Sequence, residues 1–288
     1  MHTLKKNGIE FAFVGQRFAD FDEARRMVEN LVRQFRDSPL VLVFPENLLD
    51  VHVVHRSRTK DWIRSISPIL DAHGNAHVFF SVYETGIEHR LSNTGYIVSP
   101  RRLEKKTPPY QSYPKLNMPT GDQFVIERRP FGEKVRKNWI RRSRRLGEPL
   151  QKRPTGPIPD FRFDFPAIRI ASPEKPAGNR VELRVCADVW HQNRTPADLI
   201  IVPADGLSKE NLHPENRALH ASLTPQGMVL CNDVNGADQE TWCVQRNKKP
   251  KKIFRPPDRA NPFFLSRFAR ALRRVYGAAS ISRKKRRP

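Results

Sequence analysis

Leu40 to Phe44 are five apolar residues in succession, closed by Pro45. A strand with one wet face alternates apolar and polar positions, so this unbroken run predicts a strand covered on both faces, as in layered α/β proteins. Its neighbours fit the same plan. Ile9 to Gly15 (IEFAFVG) reads as a strand. The next segment changes to helical spacing, with Phe21, Ala24, Val28, Leu31, Val32 and Phe35 on one face, Asp20 and Glu23 as a capping pair and Pro39 as its end. A second helix is expected from Thr59 as N-cap to Gly74, burying Trp62, Ile63, Ile66 and Leu70 and distorted at Pro68. Strands are expected at His77 to Tyr83, Gly95 to Val98, Ala167 to Ala171, Arg180 to Cys186, Asp198 to Val202 and Met228 to Cys231, with a helix over Pro214 to Leu223. Strands alternating with helices predict a layered α/β domain.

Charge divides the chain further. The 288 residues carry a net +22, but Glu127 to Arg153 hold 11 Lys or Arg against 3 Glu, and Arg246 to Pro288 hold 16 against Asp258 alone. The rest is nearly neutral, so the basicity belongs to an internal segment and a tail. Residues 1–245 therefore read as one domain with a basic insert at about 123–160, and 246–288 as a basic linker and helical tail. Within the tail, Phe264, Leu265, Phe268, Leu272 and Val275 oppose Arg267, Arg270, Arg273 and Arg274, the pattern of an amphipathic helix suited to nucleic acid or another anionic surface. No apolar window is long enough to span a membrane, and Glu10 interrupts the first apolar stretch too early for a signal peptide, so a cytoplasmic location is expected. Cys186, Cys231 and Cys243 are too widely spaced for a zinc pair or a disulfide framework and read as free thiols.

The common catalytic signatures are missing: no phosphate-binding Gly-rich loop, dinucleotide fingerprint, HExxH or GxSxG occurs. Three residues remain. Glu46 follows the buried strand at Pro45, Lys115 lies in the proline-braced segment YPKLNMPTGD, and Cys186 closes VELRVC. Crevices in α/β sheets lie beyond the carboxyl ends of strands, where Glu46 and Cys186 would both project. A thiol with an ordinary pKa of about 8.5 is mostly protonated at neutral pH and needs a base or a cation beside it to act as a nucleophile. Glu and Lys can supply both.

As they stand, these residues resemble the carbon-nitrogen hydrolase family, also called the nitrilase superfamily. VLVFPENLL is similar to the family's apolar strand ending in Pro-Glu, YPKLNMPTGD to its Tyr-x-Lys-x-x-Leu-x-Pro-x-Gly-Glu loop, and VELRVCADVWH to the strand bearing its nucleophile. Further likenesses are NTGYIVSP from Asn93, ADLIIVPADG from Ala197 and NRALHASLTPQGMVLCNDVNG from Asn216. The resemblance implies Glu46 as general base, Lys115 as stabiliser of the tetrahedral intermediate and Cys186 as nucleophile, with Asp122 and Asp188 as supporting acidic residues. It also implies a four-layer α-β-β-α sandwich, a homo-oligomer, and neither metal nor organic cofactor. A backbone N–H near Asp188 is the expected second donor to the developing oxyanion.

The function this implies is thiol-dependent cleavage of a small amide or nitrile through an acyl-enzyme on Cys186, with amides preferred because Ala187 and Asp188 replace the Trp-Glu pair of nitrilases. The rival reading is a catalytically weak scaffold of the same fold that binds nucleic acid or an anionic surface through its basic insert and tail.

Overall fold

The computed structural model describes residues 1–50, 53–85, 91–101, 110–116, 162–205, 207, 209–235 and 238–253. The chain divides into two units, Met1–Ile253 and Phe254–Pro288. The basic insert, Asp122, and tail residues 254–288 with Arg267, Arg270, Arg273 and Arg274 lie outside the described residues.

The first sheet is built from β1 (His2–Lys6), β2 (Ile9–Phe13), β3 (Leu40–Val43), β4 (Val54–His55), β5 (Ala76–Thr85), β6 (Leu91–Val98) and β7 (Tyr110–Pro114). Its order is β1-β2-β3-β5-β6-β7, with β4 beside β5. The central pairs β2/β3 and β3/β5 are parallel. Both β5/β6 and β6/β7 are antiparallel, so β7 runs in the same direction as β5. The second sheet takes β9 (Ala167–Ser172), β10 (Lys175–Leu183), β12 (Ala197–Ala204), β13 (Leu223–Asn235), β14 (Asp238–Gln245) and β15 (Lys251–Lys252), in the order β15-β14-β13-β12-β10-β9. Here β10, β12 and β13 are parallel neighbours. A small third pair joins β8 (Arg162–Phe163) to β11 (Gln192–Asn193).

Alternation along the strands divides the core in two. Ile9, Phe11, Phe13, Val41, Val43, Phe79 and Ile97 pack with Val181, Leu183, Leu199, Ile201 and Leu230 of the second sheet, so the two sheets meet face to face. The intervening residues Ala12, Leu40, Leu42, Val78 and Phe80 pack instead with the helices. That is why Leu40–Val43 has no polar position: one side faces a sheet and the other a helix.

Helix α1 (Phe21–Gln34) starts at Asp20, whose Oδ1 accepts the Glu23 N–H at 2.8 Å while Glu23 returns a bond to the Ala19 N–H at 3.0 Å. It buries Ala24, Val28, Leu31 and Val32 and ends at Phe35, before the expected Pro39. Helix α2 (Arg56–His73) begins one turn earlier than Thr59, because the His55 ring accepts the Ser57 N–H and serves as the cap. It keeps Pro68 inside and ends at Gly74 with φ 77°. Trp62 of α2 stacks on Phe21 of α1 at 5.4 Å and meets Phe80 edge-on at 4.9 Å. Among the described residues, the helical content beyond the second sheet is small: α3 (Arg217–Ala221) and 3-10 turns at Cys186–Trp190 and Lys209–Leu212. The fold is mixed α/β with two packed sheets, and the expected outer helix over Pro214 to Leu223 is reduced to five residues. None of the described helices is long and apolar enough to cross a membrane.

Candidate active site

Three elements deliver Glu46, Lys115 and Cys186 to one place. Glu46 lies just past β3, which runs parallel to β2 and β5. Lys115 follows β7, which shares the direction of β5; its N–H donates to the Asn93 carbonyl at 2.7 Å and so prolongs the β6/β7 ladder. Cys186 comes three residues after the end of β10. Asn232 ties the sheets together at this edge, donating to the carbonyls of Val14 and Val43 at 2.9 and 3.3 Å.

The lysine Nζ lies 2.5 Å from Glu46 Oε1, and the two residues are only 1% and 3% exposed. Asn93 Nδ2 donates to the same carboxylate oxygen at 2.8 Å. One asparagine thus holds the base by its side chain and the lysine by its backbone. Cys186 is 6% exposed and adopts φ 47°, a left-handed conformation uncommon for a side-chain-bearing residue. Sequence reasoning expected it on a strand. It opens the 3-10 turn Cys186–Trp190 instead, which turns the chain sharply off the sheet.

The sulfur's electrostatics follow from this placement. Burial first, then the negative charge and hydrogen bond of Glu46, push the Cys186 thiol well above its ordinary value, while Lys115 and the Asp205 backbone oppose them. The resting form is a thiol that faces a carboxylate and an ammonium. Such a set can pass the sulfur's proton to Glu46 as the sulfur attacks an electrophilic carbon.

The surroundings include residues that sequence reasoning did not single out. Arg17 pairs with Asp205 at 2.5 Å and donates to the carbonyls of Glu46 and Val234 at 3.4 Å, tying the chain just beyond β3 and β12 to the end of β13. Nothing in its sequence context marks it. Asn93 and Tyr113 do sit in the quoted segments NTGYIVSP and YPKL, where their neighbours drew attention. Asp188 is fully buried and accepts from the Tyr113 hydroxyl at 3.0 Å and from the Leu116 N–H at 3.1 and 3.2 Å. Of the backbone N–H groups near Asp188, that of Asp188 itself donates to the Val185 carbonyl at 3.0 Å and closes the 3-10 turn.

No family model matches the sequence, and no curated protein matches it. Among solved structures, the chain is similar to the amidase from Nesterenkonia sp. AN1. A glutamate-to-glutamine mutant of that enzyme with the acetamide moiety of fluoroacetamide on its active-site cysteine is 13% identical, with a TM-score of 0.49, over 84% of this chain and 83% of that chain. A double mutant in complex with acrylamide is also 13% identical at a TM-score of 0.49, over 90% and 95%. A cysteine-to-alanine mutant, described as an amidase from the nitrilase superfamily, gives 13% and 0.49 over 85% of each chain. The similarity is thus to one enzyme, an amidase described as from the nitrilase superfamily.

Proposed function

We propose that the protein is a thiol-dependent carbon-nitrogen hydrolase that cleaves a small amide through an acyl-enzyme on Cys186. The observation that carries this reading is the buried Glu46–Lys115 pair at 2.5 Å, set against a thiol whose environment both residues shape. A buried ion pair is a poor device for stability, since taking two charges out of water costs several kcal/mol per ion. Its position beside a strained, buried cysteine accords with a chemical role.

In the first half-reaction, Glu46 accepts the thiol proton while the sulfur attacks the amide carbon. The negative charge gathers on the former carbonyl oxygen, and the Lys115 ammonium stabilises it. Collapse breaks the C–N bond, and Glu46 returns its proton to the departing amine. In the second, Glu46 takes a proton from water, the hydroxide adds to the thioester, and the acid leaves as the proton returns to sulfur. The reaction consumes one water and needs no group beyond the three side chains. Amides are preferred to nitriles, because Ala187 and Asp188 follow the nucleophile. The four-layer sandwich, the homo-oligomer and the cytoplasmic location belong to the same reading.

The charge of 246–288 supports an added role in holding a polyanion. Binding by counterion release falls steeply with salt, and deletion of 254–288 would flatten that dependence without touching turnover. The principal test is incubation with a panel of small primary amides and matched nitriles, followed by intact mass spectrometry and ammonia release. Ammonia release with a transient acyl mass on Cys186 is expected; a panel that yields neither argues for the scaffold reading.

A further inference from the structure

The residues that flank Cys186 are bonded to the residues that flank Lys115. The Val185 N–H, immediately before the cysteine, donates to the Tyr113 hydroxyl oxygen at 2.6 Å. That hydroxyl donates in turn to Asp188 Oδ2 at 3.0 Å, two residues after the cysteine. Both oxygens of Asp188 lie within reach of the Leu116 N–H, immediately after the lysine. A closed set of bonds therefore ties Val185 and Asp188 to Tyr113 and Leu116, with the reacting side chains between them. Val185 and Asp188 are fully buried and Tyr113 is 4% exposed, so water cannot stand in for a lost partner.

Three independent features support a role in position. The cysteine turn is strained at φ 47°, and a strained residue persists only where its surroundings hold it. Asp188 also supplies the turn's own closing bonds, through its N–H to Val185 and its carbonyl to the His191 N–H, so its carboxylate is rigidly placed relative to Cys186. The β6 strand leaves room for the arrangement only because residue 95 is glycine. A methyl group there would lie 2.8 Å from the Tyr113 ring and 2.9 Å from a Val185 methyl.

We propose that Tyr113 and Asp188 are positioning residues that lock the cysteine turn to the lysine loop and so set the distance between the Lys115 ammonium and the Cys186 sulfur. This rests on the reading of Cys186 and Lys115 as the reacting pair. Neither positioning residue takes part in the bond changes. Their function is to keep the nucleophile and the charge that stabilises its attack in register, where a displacement of about 1 Å costs on the order of a hundredfold in rate.

The test uses the full chain and chloroacetamide, with alkylation of Cys186 and Cys243 followed in the same sample by mass spectrometry. Tyr113→Phe removes the hydroxyl but keeps the ring, and Asp188→Asn keeps one acceptor oxygen. Each is expected to slow Cys186 alkylation about tenfold or more. Its pH profile should move upward, since the ammonium that favours the thiolate is displaced, while Cys243 keeps its wild-type rate. Because both variants break one network, the double variant should be little slower than the slower single one. A wild-type Cys186 no faster than Cys243 defeats the reading of the site itself. A fast wild type with Tyr113→Phe unchanged in rate and pH profile overturns the positioning role alone. So does a variant in which Cys243 alkylation accelerates, because the bonds would then be serving stability instead of position.

Discussion

Lys115 Nζ lies 2.5 Å from Glu46 Oε1, where neither side chain reaches solvent. Removing one partner of a buried pair leaves an uncompensated charge, at a cost of roughly 3–5 kcal/mol. Lys115→Met is therefore expected to lose both stability and turnover, and Lys115→Arg to restore the charge without the fit. Thermal unfolding with ammonia release checks both; a Lys115→Met variant as stable and as active as wild type would contradict the pairing.

Glu46→Gln separates charge from shape. The carboxylate is the second cause, after burial, that raises the thiol, and Lys115 opposes it. Without the carboxylate, the ammonium's anion becomes the sulfur, so the alkylation midpoint of Cys186 should move to lower pH. Turnover should nevertheless fall at least a hundredfold, because no group is left to protonate the departing amine or to activate water. A midpoint that moves upward, or turnover near wild type, would show that Glu46 does not have this role.

Gly95→Ala probes close packing near the site without touching a reacting group. The added methyl meets Tyr113, Val185 and Leu183 at 2.8–3.2 Å, so something must shift. A loss of about 1–3 kcal/mol of stability is the usual cost of overpacking. Here a slowed Cys186 should accompany it, and denaturant unfolding with alkylation in parallel measures both.

Stability should also fall on the alkaline side. Burial raises the thiols of Cys186 and Cys231 and the phenol of Tyr113, so the folded state holds these protons more tightly than the unfolded chain does. Groups raised in the folded state stabilise it fully below their unfolded pKa values, about 8.5 for Cys and 10 for Tyr, and that contribution is lost as pH rises beyond them. The melting temperature is expected to decline from about pH 9 upward. A flat profile to pH 11 would contradict the burial of these groups.

Much of this architecture was legible in the residues. The unbroken run Leu40 to Phe44 and the stripe from Phe21 to Phe35 marked β3 and α1, since burial on two faces and on one leave distinct periodicities. The Asn7-Gly8 turn, with φ of 50° and 70°, joins β1 to β2, but β1 itself alternates half-buried and exposed positions across lysines and does not look apolar. The cap at His55 was missed because a histidine ring is a rare acceptor at a helix start. Strand β14 stood out poorly, since Gln239, Glu240 and Thr241 carry polar side chains where it pairs with β13. The trio Glu46, Lys115 and Cys186 was legible through local motifs. Their convergence with Asn93, Arg17 and Asp205 depends on contacts across the sheets, which no local pattern encodes.

Site-resolved alkylation of the wild-type protein by chloroacetamide at pH 7 tests the central claim most directly. Cys243 is the most exposed of the three thiols, while Cys186 and Cys231 are buried. Access alone would therefore modify Cys243 first. A nucleophile set between Glu46 and Lys115 reverses that order, with Cys186 modified at least about tenfold faster than Cys243, since general-base assistance is worth on the order of a hundredfold or more. Modification of Cys243 ahead of Cys186 would contradict the account.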